Sequence, residues 1–241
     1  MSSVLHLPGR TLASELAHLQ LSLPVGACAI LELRRAPGPV RLRELLASAG
    51  FEAIELRGRT RGGGARVRAR RARTLPDWIR RGLRLLVCGL NPSLYSVEHG
   101  VPFARPGNRF WPAAWRAGIV TVDRDPFAAL AGGVGFTDCV KRATSTAKRL
   151  EPREYRRGLQ RVARCARVYR PRVLCFVGLE GWRRAVDPRA VAGPVRWPAG
   201  RQLAYLMPST SGLNAHADLD ELSKHLHRAL HLPLDFDRHH R

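Results

Sequence analysis

Two short polar segments follow apolar runs and carry side chains that could do chemistry. The first is GLNPS (89–93), which comes directly after LRLLVC and places Asn91 in a turn. A carboxamide can hold a water molecule or a ligand by hydrogen bonds, but it cannot act as a strong general base because it has no useful pKa. The second is MPSTSGLNAH (207–216), rich in hydroxyl groups and glycine. Asn91 either serves only the turn or is aimed into a cleft, and 207–216 is either a binding loop or an ordinary Ser/Gly loop.

The elements that must position these segments alternate along the chain. Apolar runs of strand length (LRLLVCGL, VGFTDCV, RVLCFVG and QLAYLMP) are separated by helical patterns at 108–118, 152–169, from Glu180, and at 218–230 with Asp218 as its cap. The alternation predicts a three-layer α/β/α domain over 74–234 with a short, mainly parallel central sheet, followed by a tail, 235–241. Ligands bind beyond the carboxyl ends of such strands, so both polar segments should lie on one rim.

Residues 1–56 predict a small α/β appendage. RTLASELAHLQ and VRLRELLASAG have helical spacing, whereas ACAILELR and FEAIEL read as strands. This piece holds five Arg and five acidic residues, so it is electrically neutral. Its sequence indicates no function.

Residues 57–73 differ from their neighbours in composition, with eight Arg, three consecutive Gly and no acidic residue. Such a run predicts a mobile linker, which is either a DNA-contacting arm or a solvated tether. The whole chain holds 41 Lys and Arg against 19 Asp and Glu, a net charge of +22. A compositional bias explains Arg in place of Lys but not the excess of basic over acidic residues. The charge therefore favours nucleic acid as the partner.

Cysteine usage and hydropathy argue against several other classes of protein. The five cysteines are scattered and form no CxxC, which speaks against a zinc or iron–sulfur site. His225 and His227 point apart on a helix, so with His231 they make no obvious metal site. No apolar run reaches the roughly 18–20 residues that span a bilayer, and the N-terminus lacks a signal-peptide pattern. We expect a cytoplasmic, nucleoid-associated monomer without metal or other cofactor.

Three motifs in order carry a family resemblance: GLNPSLYSVEHGVPFARPGNRFW, GVGFTDCVKRAT and MPSTSGLNA. Together they resemble the uracil-DNA glycosylase superfamily in its mismatch-specific uracil and thymine-DNA glycosylase branch. The resemblance covers about 74–230 and leaves out 1–56. It implies an enzyme that flips a base out of double-stranded DNA, hydrolyses its N-glycosidic bond and leaves an abasic site. No lysine nucleophile for strand cleavage is evident.

The resemblance implies roles for individual residues. Asn91 matches the residue that positions the attacking water and contacts the flipped nucleotide, and Phe103 matches the aromatic that stacks on the flipped base. The implied base pocket comprises Gly89, Leu90, Phe103, Ala104 and Ser209. Members with Asp in place of Asn91 have a carboxylate to stabilise the cationic sugar. The amide here therefore predicts a slow enzyme.

The segment that begins at Ser209 resembles the family's minor-groove loop. Leu213 matches the apolar wedge that fills the gap left by the flipped nucleotide, flanked by Gly212 and Asn214. Ser209 and Ser211 could bind a phosphate. The more distant, efficient uracil glycosylases carry a His where this chain has Ser209, and His216 lies too far along to replace it, which fits the mismatch branch. Asp138 and Lys141 either line the pocket rim or are structural.

The leading hypothesis is thus a monofunctional glycosylase that removes uracil from G·U pairs, with thymine and cytosine adducts as further substrates. The first alternative is a non-catalytic protein that binds mispaired or abasic DNA. The second is a protein that binds single strands or RNA through residues 57–73 alone.

Overall fold

A computed structural model describes residues 12–33, 36–59, 64–197 and 202–233. The chain divides into two compact units, Met1–Trp78 and Ile79–Arg241. Within the described ranges, no helix combines the length and apolar character needed to cross a membrane. The predicted tail, 235–241, lies outside the described residues.

The first unit is a three-stranded antiparallel sheet with two helices. Its elements are α1 (Leu12–Ser22), β1 (Cys28–Leu33), α2 (Pro39–Ser48), β2 (Phe51–Arg59) and β3 (Ala65–Arg71), and the strand order is β1-β3-β2. The helices and strands predicted over 1–56 are confirmed. One face of the sheet builds a core from residues that include Leu16, Leu31, Leu46, Phe51 and Val67.

The prediction of a linker over 57–73 was wrong for most of the described part of that segment. Residues 65–71 form the central strand of the sheet, because Ala65, Val67 and Ala69 alternate with arginines and are buried. The arginines between them point outward, where Arg66 pairs with Glu32 and Arg70 with Glu52. The high density of arginine concealed the alternation of buried and exposed residues that is typical of a strand. Residues 60–63 lie outside the described residues.

The second unit contains a five-stranded sheet in the order β5-β4-β6-β8-β7. Its strands are β4 (Leu85–Gly89), β5 (Val134–Asp138), β6 (Val173–Val177), β7 (Gly193–Val195) and β8 (Leu203–Met207). All but β7 run parallel, and every residue of the four parallel strands is buried. Helices flank this sheet, so the predicted α/β fold with a mainly parallel sheet is confirmed.

The helices of this unit are α3 (Leu94–His99), α4 (Phe110–Arg116), α5 (Pro126–Ala131), α6 (Pro152–Tyr169), α7 (Leu179–Ala185) and α8 (Leu219–Leu230). Asp218 caps α8 as predicted, accepting a hydrogen bond from the Glu221 backbone N–H. The short α3, α5 and β7 were not predicted. The caps of the two helices, Ser93 and Asp125, are signals that could have located them.

Helix α6 connects β5 to β6, and its start is defined by a proline and a capping box. Pro152 occupies the first turn, and the side chains and backbones of Glu151 and Glu154 form a reciprocal capping box. Tyr155, Val162 and other apolar residues are buried on one face. The helix approaches the chain after β5 so closely that a Cβ on Gly158 would lie 2.2 Å from the Cys139 carbonyl oxygen.

Replacing Gly158 by alanine should therefore destabilise the second unit. The better helix propensity of alanine favours folding by about 1 kcal/mol, but overpacking against backbone typically costs about 1–3 kcal/mol or more. Urea unfolding should show a lower midpoint than wild type. Gln160→Ala, on the exposed side of the same helix, should stay within about 0.5 kcal/mol of wild type. A more stable Gly158→Ala variant would contradict the close approach.

Candidate functional site

The carboxyl ends of the parallel strands meet at one rim, where Gly89 pairs with Asp138 and Val177 with Met207. The β4–β5 pairing continues past the strand ends. The Cys139 N–H donates to the Gly89 carbonyl at 2.8 Å, and the Val140 N–H donates to the Leu90 carbonyl at 2.9 Å. The GLNPS turn therefore lies against 139–144 and is fixed by backbone hydrogen bonds.

The side chain of Asn91 is held in one orientation. Its Nδ2 lies 3.1 Å from the Pro92 carbonyl oxygen, 3.0 Å from the Arg142 carbonyl oxygen and 2.8 Å from Thr144 Oγ1. Carbonyl oxygens only accept, so the amide nitrogen must face them. Oδ1 has no hydrogen-bond partner in the described part of the chain. It is the atom of Asn91 that can accept a hydrogen bond from a water or a ligand.

An ion pair anchors residues 142–144, to which the Asn91 side chain is hydrogen-bonded. Arg142 binds both carboxylate oxygens of Glu154 at 2.9 Å, a two-pronged geometry with defined orientation. The hydrogen bond from Arg142, followed by that from the Glu151 backbone N–H, lowers the pKa of Glu154 to about 2. The anchor ties the start of α6 to the segment that orients Asn91.

Because of this ion pair, the free energy of unfolding should fall as the solution becomes acidic. The pKa of Glu154 is about 2 in the folded state and near 4.3 in an unfolded chain. Its contribution is therefore complete above about pH 4.3 and is lost as the pH falls toward 2, because the unfolded chain takes up the proton first. Urea unfolding of wild type and Glu154→Gln should differ at pH 5 and converge as the pH approaches 2. A difference in unfolding free energy between the two proteins that stays constant from pH 5 to pH 2 would contradict the lowered pKa of Glu154.

Gly89, Asp138 and Phe103 meet at the end of β4. A Cβ on Gly89 would lie 2.5 Å from Asp138 Oδ1 and 3.4 Å from Phe103 Cζ, so only glycine leaves this space open. Phe103 has a φ of 56°, a left-handed conformation that is rare for a bulky residue. Its half-buried ring stacks on Phe110 with centroids 4.3 Å apart. Trp111 Nε1 donates to the carbonyl of Pro102 at 2.7 Å, and this hydrogen bond fixes the backbone just before Phe103.

Leu90 and Ser209 both lie beside Gly178, which follows β6. A Cβ on Gly178 would contact the Leu90 side chain at 3.5 Å and the Ser209 Cβ at 3.8 Å. The structure thus brings predicted pocket residues from two loops to the ends of neighbouring strands. Ala104 is buried and its backbone N–H donates to Ser96 Oγ at 3.3 Å. That N–H already has a partner and is not free for a ligand.

The second predicted segment forms a loop whose tip is Leu213, a residue that is 84% exposed. We call residues 209–217 the wedge loop. Serine hydroxyls close its turns: Ser209 Oγ accepts from the Ser211 N–H and Ser211 Oγ accepts from the Leu213 N–H, both at 3.3 Å. Asn214 Nδ2 donates to the Ser209 carbonyl at 2.8 Å. The loop therefore holds a large apolar side chain in water.

The two residues predicted for the pocket rim occupy different environments. Asp138 is buried, and its carbonyl accepts a hydrogen bond from Arg161 on α6. Lys141 is half-buried and lies between Val140 and Arg142, whose backbone groups bind 90–91. Asp138 and Phe103 both border Gly89, while Lys141 immediately precedes Arg142 in the segment that holds Asn91.

Sequence reasoning missed three residues of this site: Thr144, Gly178 and Arg109. Thr144 orients Asn91, Gly178 lies beside both Leu90 and Ser209, and Arg109 binds carbonyls of the wedge loop. Arg109 lies near the end of the first of the three motifs that carry the resemblance, where no role was predicted for it. Asn108 lies one residue before the N-cap of α4, Arg109, and its Oδ1 accepts a hydrogen bond from the Phe110 N–H at 2.9 Å.

A family model described as the uracil DNA glycosylase superfamily matches residues 76–231, more than half of the chain. The match includes every predicted site residue and leaves out 1–75. It carries with it DNA as the substrate and glycosylase hydrolysis in DNA repair as the type of activity. The chain belongs to the uracil DNA glycosylase superfamily.

Proposed function

We propose that this protein is a monofunctional, mismatch-specific glycosylase that removes uracil from G·U pairs in double-stranded DNA. Thymine from G·T pairs and cytosine adducts are its further proposed substrates. It works without a metal or nucleotide cofactor, as a monomer on DNA in the cytoplasm. The observation that carries the proposal is the fixed amide of Asn91, whose Nδ2 is bound to 142–144 and whose Oδ1 remains for a water.

Asn91 would act by placing water, without taking its proton. As the bond between the sugar C1′ and the base nitrogen breaks, both electrons leave with the base and the sugar becomes cationic. The water on Asn91 Oδ1 then forms the new bond to C1′ and loses its proton to solvent, while the departing base anion takes up a proton from solvent. An amide supplies no negative charge to this cation, and Ser209 supplies no imidazole to the departing base. Both features support a slow enzyme.

Phe103 and Asp138 would hold the flipped base. One face of the Phe103 ring is covered by Phe110, and we assign the other face to the base, since aromatic rings stack on any pyrimidine. When it is ionised, the Asp138 carboxylate only accepts hydrogen bonds. It therefore suits a base edge that carries an N–H, such as N3–H of uracil or thymine.

Leu213 would fill the gap that the flipped nucleotide leaves. A residue that is 84% exposed at a loop tip does nothing for the core, whereas an apolar wedge between base steps compensates for lost stacking. A mispaired base is held less firmly in the stack and costs less to extrude. We infer that preference for mispairs comes from this flipping step.

The arginines of 57–73 would add phosphate contacts from the first unit. Arg66 and Arg70 are already paired with glutamates, but Arg68, exposed on β3, forms no ion pair among the described residues. Arg68→Gln should then weaken binding to duplexes of any sequence and reduce the salt dependence of the affinity, without changing which base is removed. The whole segment cannot be deleted for this test because it contains the central strand of its sheet.

To test the proposal, DNA is incubated with the full chain and then treated with alkali, which cleaves the strand at abasic sites. The panel carries U opposite G, U opposite A, T opposite G and hypoxanthine, with single-stranded U alongside. We expect cleavage that is strongest for U opposite G. A chain that binds these duplexes and generates no alkali-labile site at enzyme excess is the non-catalytic binder, and the proposal fails.

A further inference from the structure

Arg109 connects the start of α4 to the wedge loop across more than a hundred residues of sequence. Its Nη1 lies 2.6 Å from the Ala217 carbonyl oxygen, and its Nη2 lies 3.2 Å from that of Ser211 and 2.5 Å from that of Asn214. The Arg109 backbone N–H also donates to the Thr210 carbonyl at 2.8 Å. One arginine thus binds four carbonyls along the loop that carries Leu213.

A second close contact joins the wedge loop to the residues just before α4. A Cβ on Gly212 would lie 2.7 Å from the Gly107 carbonyl oxygen, so the backbones approach more closely than any other residue would allow. Gly212 immediately precedes Leu213. The wedge loop is therefore fixed on both sides of its tip, by the Gly107 backbone near Leu213 and by the Arg109 guanidinium at its base.

We propose that Arg109 is a positioning residue that preorganises the wedge loop for insertion into DNA. This inference rests on the proposed function. A loop that must be ordered on binding loses conformational freedom at that moment, whereas a loop held in advance does not. The planar guanidinium suits the task because its several N–H donors have a fixed geometry, which a lysine ammonium cannot reproduce. Arg109 thus acts on base flipping through Leu213.

The variant Arg109→Lys tests this role because it keeps the positive charge and removes the planar array of N–H donors. Amide hydrogen exchange of 210–216 should become faster in the free protein, a readout that requires neither DNA nor activity. Single-turnover excision of uracil from a U·G duplex should fall roughly 30-fold, or about 2 kcal/mol at 1.36 kcal/mol per tenfold. Arg116→Lys, the same substitution later on α4, should leave both readouts at wild-type values. Thermal unfolding shows that each variant is folded.

A double-mutant cycle separates positioning from a general structural role. In a Leu213→Ala background there is no wedge to position, so adding Arg109→Lys should lower excision little further. Two effects that simply multiply would overturn the inference, as would unchanged exchange of 210–216 in Arg109→Lys. A wild-type chain that excises nothing overturns the proposed function alone, and the hydrogen-exchange result then decides whether Arg109 holds the loop.

Discussion

Asn91→Ala should lower single-turnover excision of uracil from a U·G duplex by about 100-fold or more, the usual effect of losing one positioned polar group in an active site. The side chain loses the Oδ1 that would hold the attacking water. It also loses the Nδ2 bonds to Arg142 and Thr144. Affinity for the duplex should change little, because phosphate contacts elsewhere dominate binding.

Asn91→Asp sharpens this prediction. A carboxylate would help a cationic sugar, and on chemistry alone it should speed the reaction. Here, however, the side-chain atom in place of Nδ2 would face the carbonyl oxygens of Pro92 and Arg142, which repel a carboxylate. We therefore expect Asn91→Asp to be less active than wild type at neutral pH. An alanine variant that excises uracil at the wild-type rate would contradict the role of Asn91.

Phe103→Ala should be the second most damaging change, lowering excision by about 5- to 150-fold, because one base–aromatic stack contributes about 1–3 kcal/mol. The flipped base would lose the ring against which it is held. The Phe103 ring also packs on Phe110, so the folded state of the variant must first be verified by thermal unfolding.

An abasic duplex supplies the control for Phe103. It has no base to stack, so Phe103→Ala should bind it as tightly as wild type does while losing excision of uracil. Phe103→Leu keeps apolar volume without a π-face and should recover only part of the activity. Equal losses in abasic-site binding and in excision would show that the change damages the protein generally, and the assigned stacking role would then fail.

Sequence reasoning was most successful where one local rule governs the structure. The parallel strands are runs of buried apolar residues, as in LLVCG and VLCFV, and α6 begins at a proline flanked by a capping box. Because parallel strands end on a common edge, GLNPS and the wedge loop could be assigned to the same rim. The predicted fold followed from these elements.

Sequence reasoning failed where composition concealed a pattern or where a partner is distant. In β3, arginines hide the alternation of Ala65, Val67 and Ala69. Arg109 and Nδ2 of Asn91 bind mainly backbone carbonyls, which every residue carries, at separations of 51 to 108 residues. Such contacts leave no side-chain signature in the sequence and become visible only when the loops are seen together.

Detection of the released base tests the proposed activity most directly. The purified full chain is incubated at enzyme excess, with EDTA, on a duplex with one uracil opposite guanine, and the small-molecule fraction is separated chromatographically. We predict free uracil in amounts that match the abasic sites formed, released by Asn91→Ala at a rate lower by about 100-fold or more. Absence of free uracil with the wild-type chain, while it binds the duplex, would contradict the proposed activity.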